Sequence, residues 1–99
     1  MSRPSKVDLA VALAELPGWT EARGRAAITR SYRFASFSAA FGWMTRIALA
    51  AETLDHHPEW FNVYNRVDVT LTTHDASGVT ELDLKLARIM DEAFAASPH

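Results

Sequence analysis

Histidine is the residue of this chain best suited to proton transfer near neutral pH, and three of its four histidines lie where predicted elements end. His56 and His57 directly follow a long predicted helix, and His74 ends a predicted strand region. A helix C-terminus carries partial negative charge, to which Glu52 and Asp55 add, so a protonated imidazole is favoured there. If His74 lies beside the pair, these residues form a general acid–base site.

Two other interpretations of the histidines compete with this one. Adjacent histidines at a helix end are often no more than polar surface residues. A metal site is disfavoured because neighbouring side chains diverge, and because the sequence contains neither HExxH nor HxxxH spacing. The sequence also has no cysteine, which excludes thiolate catalysis and cysteine-ligated metal centres. From these residues we do not expect a metal site.

Composition and charge narrow the class of protein. The 99 residues are 48% hydrophobic and 22% charged, which predicts one globular domain spanning residues 1–99, located in the cytoplasm. Residues 1–46 carry seven basic and three acidic groups, and residues 47–99 carry three and nine. Arg23, Arg25, Arg30 and Arg33 are interpreted as the solvated face of a strand, since no aromatic residues alternate with them as nucleic-acid binding requires. No nucleic-acid partner and no membrane span are expected.

The first half of the chain predicts a helix, a strand and a second helix. Ser5 with Asp8 is an N-cap signature, after which Leu9, Leu13 and Leu16 recur at helical spacing up to Pro17-Gly18. Residues 28–34 alternate as a half-buried strand does.

The second helix, Phe37–Leu54, is unusually apolar and carries two adjacent stripes. The first stripe is Phe37, Phe41, Met44, Ala48 and Ala51, and the second is Ala40, Trp43, Ile47, Ala50 and Leu54. One small core does not need both, so either the helix is deeply buried or the second stripe meets another subunit. We favour the subunit interface.

The second half predicts strands followed by a last helix. Residues 61–63 and 67–71 alternate around a turn at Asn65-Arg66, and Thr80 with Asp83 repeats the N-cap pattern. The buried face of the last helix is predicted to be Leu82, Leu86, Ile89 and Ala93, and the tail 97–99 is expected to be loose. The resulting fold class is α+β, with an antiparallel sheet of about four strands and three helices packed on one face.

Several segments resemble the pterin-4a-carbinolamine dehydratase family. They are Asp55-His56-His57-Pro58-Glu59-Trp60 within 52–67, then Thr72-Thr73-His74, and Gly78-Val79-Thr80-x-x-Asp83. Upstream, Gly18-Trp19, Arg30-x-Tyr32-x-Phe34 and Phe41-Gly42-Trp43-Met44-Thr45-Arg46 are also similar to that family. The similarity covers almost the whole chain.

The resemblance implies an activity and a set of site residues. Family members are hydro-lyases that convert 4a-hydroxytetrahydropterins to quinonoid dihydropterin without metal or cofactor, recycling the pterin of aromatic amino-acid hydroxylases such as phenylalanine hydroxylase. By carry-over, the catalytic residues are His56, His57 and His74. Asp55 and the segment Thr72, Thr73, His74 and Asp75 would line the pterin site with the histidine pair, and Glu52 and Asp83 would be supporting carboxylates.

The resemblance also bears on partners. The family's dimers or tetramers, built partly through the long helix, imply a homodimer or homotetramer here. Other relatives of this fold act as dimerisation cofactors of a transcription factor or as assembly factors, and some of them lack the catalytic histidines. All three histidines are present in this chain, which favours the enzyme over a non-catalytic binding protein.

Overall fold

A four-stranded antiparallel sheet with helices on one face organises the chain in a computed structural model, which describes residues 5–99. The elements are α1 (Leu9–Ala14), β1 (Thr20–Glu21), β2 (Ile28–Arg33), α2 (Phe37–Leu54), β3 (Glu59–Val63), β4 (Arg66–Leu71), a short 3-10 helix (His74–Ala76) and α3 (Glu81–Ala95). The strand order is β1-β2-β4-β3. The predicted α+β fold is confirmed.

Strand register decides which residues meet at each end of the sheet. Ile28 at the start of β2 lies opposite Leu71 at the end of β4, and Glu59 at the start of β3 lies opposite Thr70. In β4, Val67, Val69 and Leu71 are buried and their neighbours are half-buried, as the period of two requires. The beginnings of β2 and β3 and the end of β4 therefore share one end of the sheet.

The core between sheet and helices is rich in aromatic rings. Trp43 of α2 is fully buried, with its ring centroid 4.6 Å from that of Tyr32 and 5.3 Å from that of Phe34. Its indole N–H donates to the carbonyl of Met90 in α3 at 3.1 Å. This contact ties the two long helices together over the sheet.

The structure corrects the assignment of the two stripes on α2. The buried residues of α2 are Ala40, Trp43, Ile47 and Ala51, which are mostly the stripe that we expected to meet another subunit. Phe37 and Phe41 of the first stripe are 48% and 56% exposed. The first stripe, rather than the second, is the apolar face left open, because the sheet lies against the other side of the helix.

Other details also differ from the sequence prediction. α1 begins at Leu9 and is capped by Asp8, which accepts a hydrogen bond from the Val11 amide at 3.3 Å, so Ser5 is not its N-cap. The tail is not loose: Ser97 is buried, and the carbonyl of Pro98 accepts from the Ala35 amide at 3.1 Å.

Arg30 does not lie on a solvated strand face. Its guanidinium donates to Asp91 of α3 at 2.8 Å and stacks over the ring of Tyr32 at 4.5 Å. Asp91 also accepts from the Tyr32 hydroxyl and, at 3.1 Å, from the Trp19 indole. Burial, and after it the hydrogen bond to Asp91, raise the pKa of Tyr32 well above its usual range.

In α3 the buried residues are Asp83, Leu84, Leu86, Ala87 and Met90, so of the predicted face only Leu86 is fully buried. The buried face is displaced toward Asp83, whose carboxylate points inward and hydrogen-bonds to His56, Thr73 and Thr80. The helices of the described residues are all too short or too polar to cross a membrane.

Candidate active site

A cavity of about 450 Å³ opens at the end of the sheet where β3 begins and β4 ends. The end of α2 and the first turn of α3 complete its wall. Its lining residues are Asp55, His56, His57, Pro58, Glu59, Thr72, Thr73, His74, Asp75 and Leu82. All seven residues that the resemblance assigned to the pterin site therefore line one cavity.

The end of α2 directs the two adjacent histidines to different places. Asp55 adopts the left-handed conformation with φ 51°, and the His56 amide donates to the Ala51 carbonyl at 3.0 Å. This cap turns the chain sharply before Pro58 and β3. As a result the His56 side chain is 9% exposed, whereas that of His57 is 57% exposed.

His56 is held by a buried carboxylate. Its Nε2 lies 2.5 Å from Oδ1 of Asp83, which has no exposed surface. The other oxygen, Oδ2, accepts from the Thr80 amide at 2.9 Å and from the Thr73 hydroxyl at 2.8 Å. Asp83 thus closes the capping box of α3 with one oxygen and orients His56 with the other.

The donors around the Asp83 carboxylate indicate which nitrogen of His56 carries the shared hydrogen. An ionised carboxylate only accepts hydrogen bonds, so Nε2 of His56 must carry the hydrogen that it shares with Asp83. The hydroxyl of Thr80 lies 2.7 Å from that of Thr73 and can donate to it while Thr73 donates onward to Asp83. Each of these hydrogen bonds then donates in the direction of the Asp83 carboxylate. Nδ1 is left as the ring nitrogen of His56 without a partner among residues 5–99.

His57 and His74 each have an acidic neighbour at the rim of the cavity. Nε2 of His57 lies 2.7 Å from Oε1 of Glu52, one turn back on α2. Nε2 of His74 lies 3.6 Å from Oε2 of Glu59. Glu52 and Asp83, the two expected supporting carboxylates, thus contact histidines without lining the cavity themselves.

Glu59 and Arg25 were missed by the sequence analysis. Arg25 donates to both oxygens of Glu59, at 2.7 and 2.9 Å. The hydrogen bond from Arg25 holds the pKa of Glu59 below its usual range, and the charges of Arg25 and His74 act in the same direction. Glu59 adjoins the histidine pair in sequence, but Arg25 lies 34 residues away, and only strand order brings it near.

In the described part of the chain, no three histidine, aspartate or glutamate side chains are grouped as a metal site would require. The lining instead combines three imidazoles with carboxylates, two threonines, a proline and a leucine. These side chains can hydrogen-bond to a planar polar ring. They can also give protons to, or take protons from, more than one atom of that ring.

Comparison with known proteins defines the class. The profile of the family described as pterin 4 alpha carbinolamine dehydratase matches residues 2–93. The chain belongs to this family, and the resemblance noted in the sequence is confirmed.

The individual relatives agree. A protein of Bordetella avium named "Putative pterin-4-alpha-carbinolamine dehydratase" is 60% identical over 90 residues, covering 91% of this chain and 83% of that protein. One of the same name from Burkholderia orbicola is 61% identical over 83 residues, covering 84% and 81%. A crystal structure described as a transcriptional coactivator/pterin dehydratase from Brucella melitensis has a TM-score of 0.87 and 58% identity, covering 93% of this chain and 98% of that one. Dehydratases of this name are hydro-lyases, the enzyme class expected from the sequence.

Proposed function

We propose that this protein removes water from 4a-hydroxytetrahydropterins, giving quinonoid dihydropterin, with histidines as general acid and base. The observation that carries the proposal is the single cavity in which three histidines lie, each beside its own carboxylate. A carboxylate next to an imidazole stabilises its protonated form and fixes its orientation, and both are needed for proton transfer.

The reaction requires two proton transfers. The C4a–O bond breaks as the hydroxyl takes up a proton and leaves as water. The N5–H bond gives its proton to a base, and its electrons form the double bond between N5 and C4a. Two histidines in different protonation states can perform both steps.

We assign the proton transfers to His56 and His74, and we assign binding of the pterin mainly to His57. His56 is buried and oriented by Asp83, which suits a residue that must act at one fixed position. His57 points elsewhere and is paired with the exposed Glu52 at the rim. Asp55, Thr72 and Asp75 supply further polar groups for the ring, whereas the Thr73 hydroxyl is engaged by Asp83 and Thr80.

The direct test is the decay of 4a-hydroxytetrahydropterin, generated in situ by a hydroxylase and followed by absorbance. We expect acceleration by the wild-type protein that a chelator does not change. The carbinolamine also dehydrates slowly unaided, so the comparison is with the rate in the absence of protein. A folded protein that gives no acceleration would contradict the proposal, and loss of the acceleration with chelator would point to a metal enzyme.

The division of labour among the histidines has its own test. His57→Ala should raise KM and leave kcat nearly unchanged. It removes a contact that stabilises the bound pterin equally in the ground state and in the transition state. A loss of kcat with KM unchanged would show that His57 takes part in the chemistry instead.

We propose that the product returns to the pterin cycle of an aromatic amino-acid hydroxylase such as phenylalanine hydroxylase, in the cytoplasm. The support is the family's reaction, whose substrate is the hydroxylated pterin that such enzymes release. Adding the protein to a hydroxylase reaction with limiting pterin and a dihydropterin reductase should raise the sustained rate. An unchanged rate under these conditions would argue against this role.

We further propose that the chain forms a homodimer or homotetramer that buries the open apolar face of α2. Phe37 and Phe41 stack there with ring centroids 5.8 Å apart, and both are substantially exposed. Light scattering should give a mass that is a multiple of the chain and falls with Phe41→Ser. A monomeric wild type would contradict the proposal.

A second candidate function is protein binding, since the Brucella melitensis relative is described as a transcriptional coactivator as well as a dehydratase. Phe61 and Tyr64, 61% and 65% exposed, lie outside the cavity and leave apolar surface open on β3 and its turn. A binding role predicts a partner whose capture is lost with Phe61→Ser and retained with His56→Ala. The dehydratase role predicts the reverse pattern in the pterin assay.

A further inference from the structure

Three separate elements converge on the carboxylate of Glu59. Glu59 is the first residue of β3, Arg25 lies in the connection between β1 and β2, and His74 begins the 3-10 helix after β4. Arg25 binds both oxygens of Glu59, and the oxygen Oε2 that accepts from Nη2 also lies 3.6 Å from His74 Nε2. One carboxylate therefore links the hairpin connection to the cavity rim.

The connection that carries Arg25 is itself fixed to the cavity. The Thr72 hydroxyl, at the end of β4, donates to the Ala26 carbonyl at 2.9 Å. The Ala22 amide donates to the Ala27 carbonyl at 2.8 Å and closes the turn. From this turn, Arg25 reaches past the end of β4 to the edge strand β3.

Glu59 is the point at which this arrangement meets His74. Its side chain is 79% exposed, and Glu59 is its only charged partner among residues 5–99. The 3.6 Å separation is too long for a good hydrogen bond, so the interaction is mainly electrostatic. A bidentate arginine holds a carboxylate in one plane, so Arg25 fixes where the negative charge lies.

We propose that Glu59, fixed by Arg25, is a positioning residue for His74, directing its imidazole toward the pterin in the cavity. The inference rests on the proposed dehydratase function for its catalytic consequence. The Arg25–Glu59 pair is then part of the site's supporting structure, acting through His74 without contacting the reacting atoms.

The first arm of the test observes His74 directly and does not depend on activity. Long-range proton–nitrogen spectra resolve the ring nitrogens of the histidines. Glu59→Gln and Arg25→Ala should each move the His74 ring signals and leave those of His56 in place. Asp68→Asn is the matched control, because it removes another carboxylate paired with an arginine on the same sheet, Arg66 at 3.3 Å, away from the cavity.

The second arm measures the pterin reaction. Glu59→Gln should lower kcat about two- to fivefold with a smaller change in KM, the size expected for one exposed charge pair. Asp68→Asn should match the wild type. Unchanged His74 signals in Glu59→Gln, or an unchanged kcat, would overturn the inference.

The two arms separate this inference from the proposed function. If the wild type does not accelerate dehydration, the proposed function fails, and the ring signals still decide whether Glu59 orients His74. If Glu59→Gln lowers only the denaturation midpoint and moves neither His74 nor kcat, the Arg25–Glu59 pair is purely structural and the inference is wrong.

Discussion

Replacing Asp83 by asparagine perturbs the contact on which the orientation of His56 depends. The carboxylate offers two acceptors to three donors: His56 Nε2 at 2.5 Å, the Thr73 hydroxyl at 2.8 Å and the Thr80 amide at 2.9 Å. Asparagine keeps one acceptor and replaces the other with a donor. If the amide oxygen stays on Thr80, the amide N–H faces His56 and forces its other tautomer.

The size of the effect follows from burial. Asp83 is fully buried, so one donor left without an acceptor costs about 1–3 kcal/mol of unfolding free energy. The rate of dehydration should fall by about 10²-fold or more, a larger effect than the loss of unfolding free energy. The reason is that the changed proton positions on His56 remove its acid–base contribution. The protein should remain folded, because side-chain volume hardly changes.

Thr73→Val is the matched comparison. It removes a donor to the same carboxylate and leaves the contact between Asp83 and His56 intact. Urea unfolding and the carbinolamine decay assay should show similar destabilisation in both variants but a much larger rate loss in Asp83→Asn. Equal rates in the two variants, or wild-type rate in Asp83→Asn, would refute the assigned role of the carboxylate.

Three further predictions concern the scaffold, each measured by urea unfolding at fixed protein concentration. Gly18→Ala should destabilise by about 1–3 kcal/mol, because its Cβ would come within 2.4 Å of the Arg30 guanidinium; no loss would mean that this side chain relocates freely. Trp43→Ala should cost about 3–5 kcal/mol, as expected for a fully buried ring, and a loss below 1 kcal/mol would contradict the packing described. The hydrogen bond from Arg25 lowers the pKa of Glu59 from its usual value. The contribution of this pair to the free energy of unfolding is therefore complete at neutral pH and is lost as the pH falls through the lowered pKa of Glu59. Wild type and Glu59→Gln should therefore converge in acid, and a constant difference down to pH 2 would contradict this.

Local signals in the sequence were sufficient for most of the elements. The uninterrupted helical period of residues 37–54 predicts the bounds of α2, and these agree with the structure, in which Ser36 is the N-cap. Thr80 and Asp83 identify the start of α3, because their spacing is that of an N-cap pattern. The site residues came from the family resemblance. The seven assigned to the pterin site line one cavity, and the supporting carboxylates Glu52 and Asp83 contact histidines without lining it.

The errors have a common physical origin in tertiary packing. Ser5 and Asp8 are equally good caps, and the choice of Asp8 accompanies the pairing of Lys6 with Thr80 in an isolated bridge. Either apolar stripe of α2 could have faced the sheet. The role of Arg25 depends on strand order, which periodicity within one segment does not encode.

The most direct test of the account compares carbinolamine decay for wild type, His56→Ala, His74→Ala and Asp68→Asn at equal concentrations of folded protein. The account predicts acceleration by wild type and Asp68→Asn, and a decay close to the rate without protein for both histidine variants. Acceleration that survives in His56→Ala and His74→Ala would contradict the central claim that these two histidines move the protons.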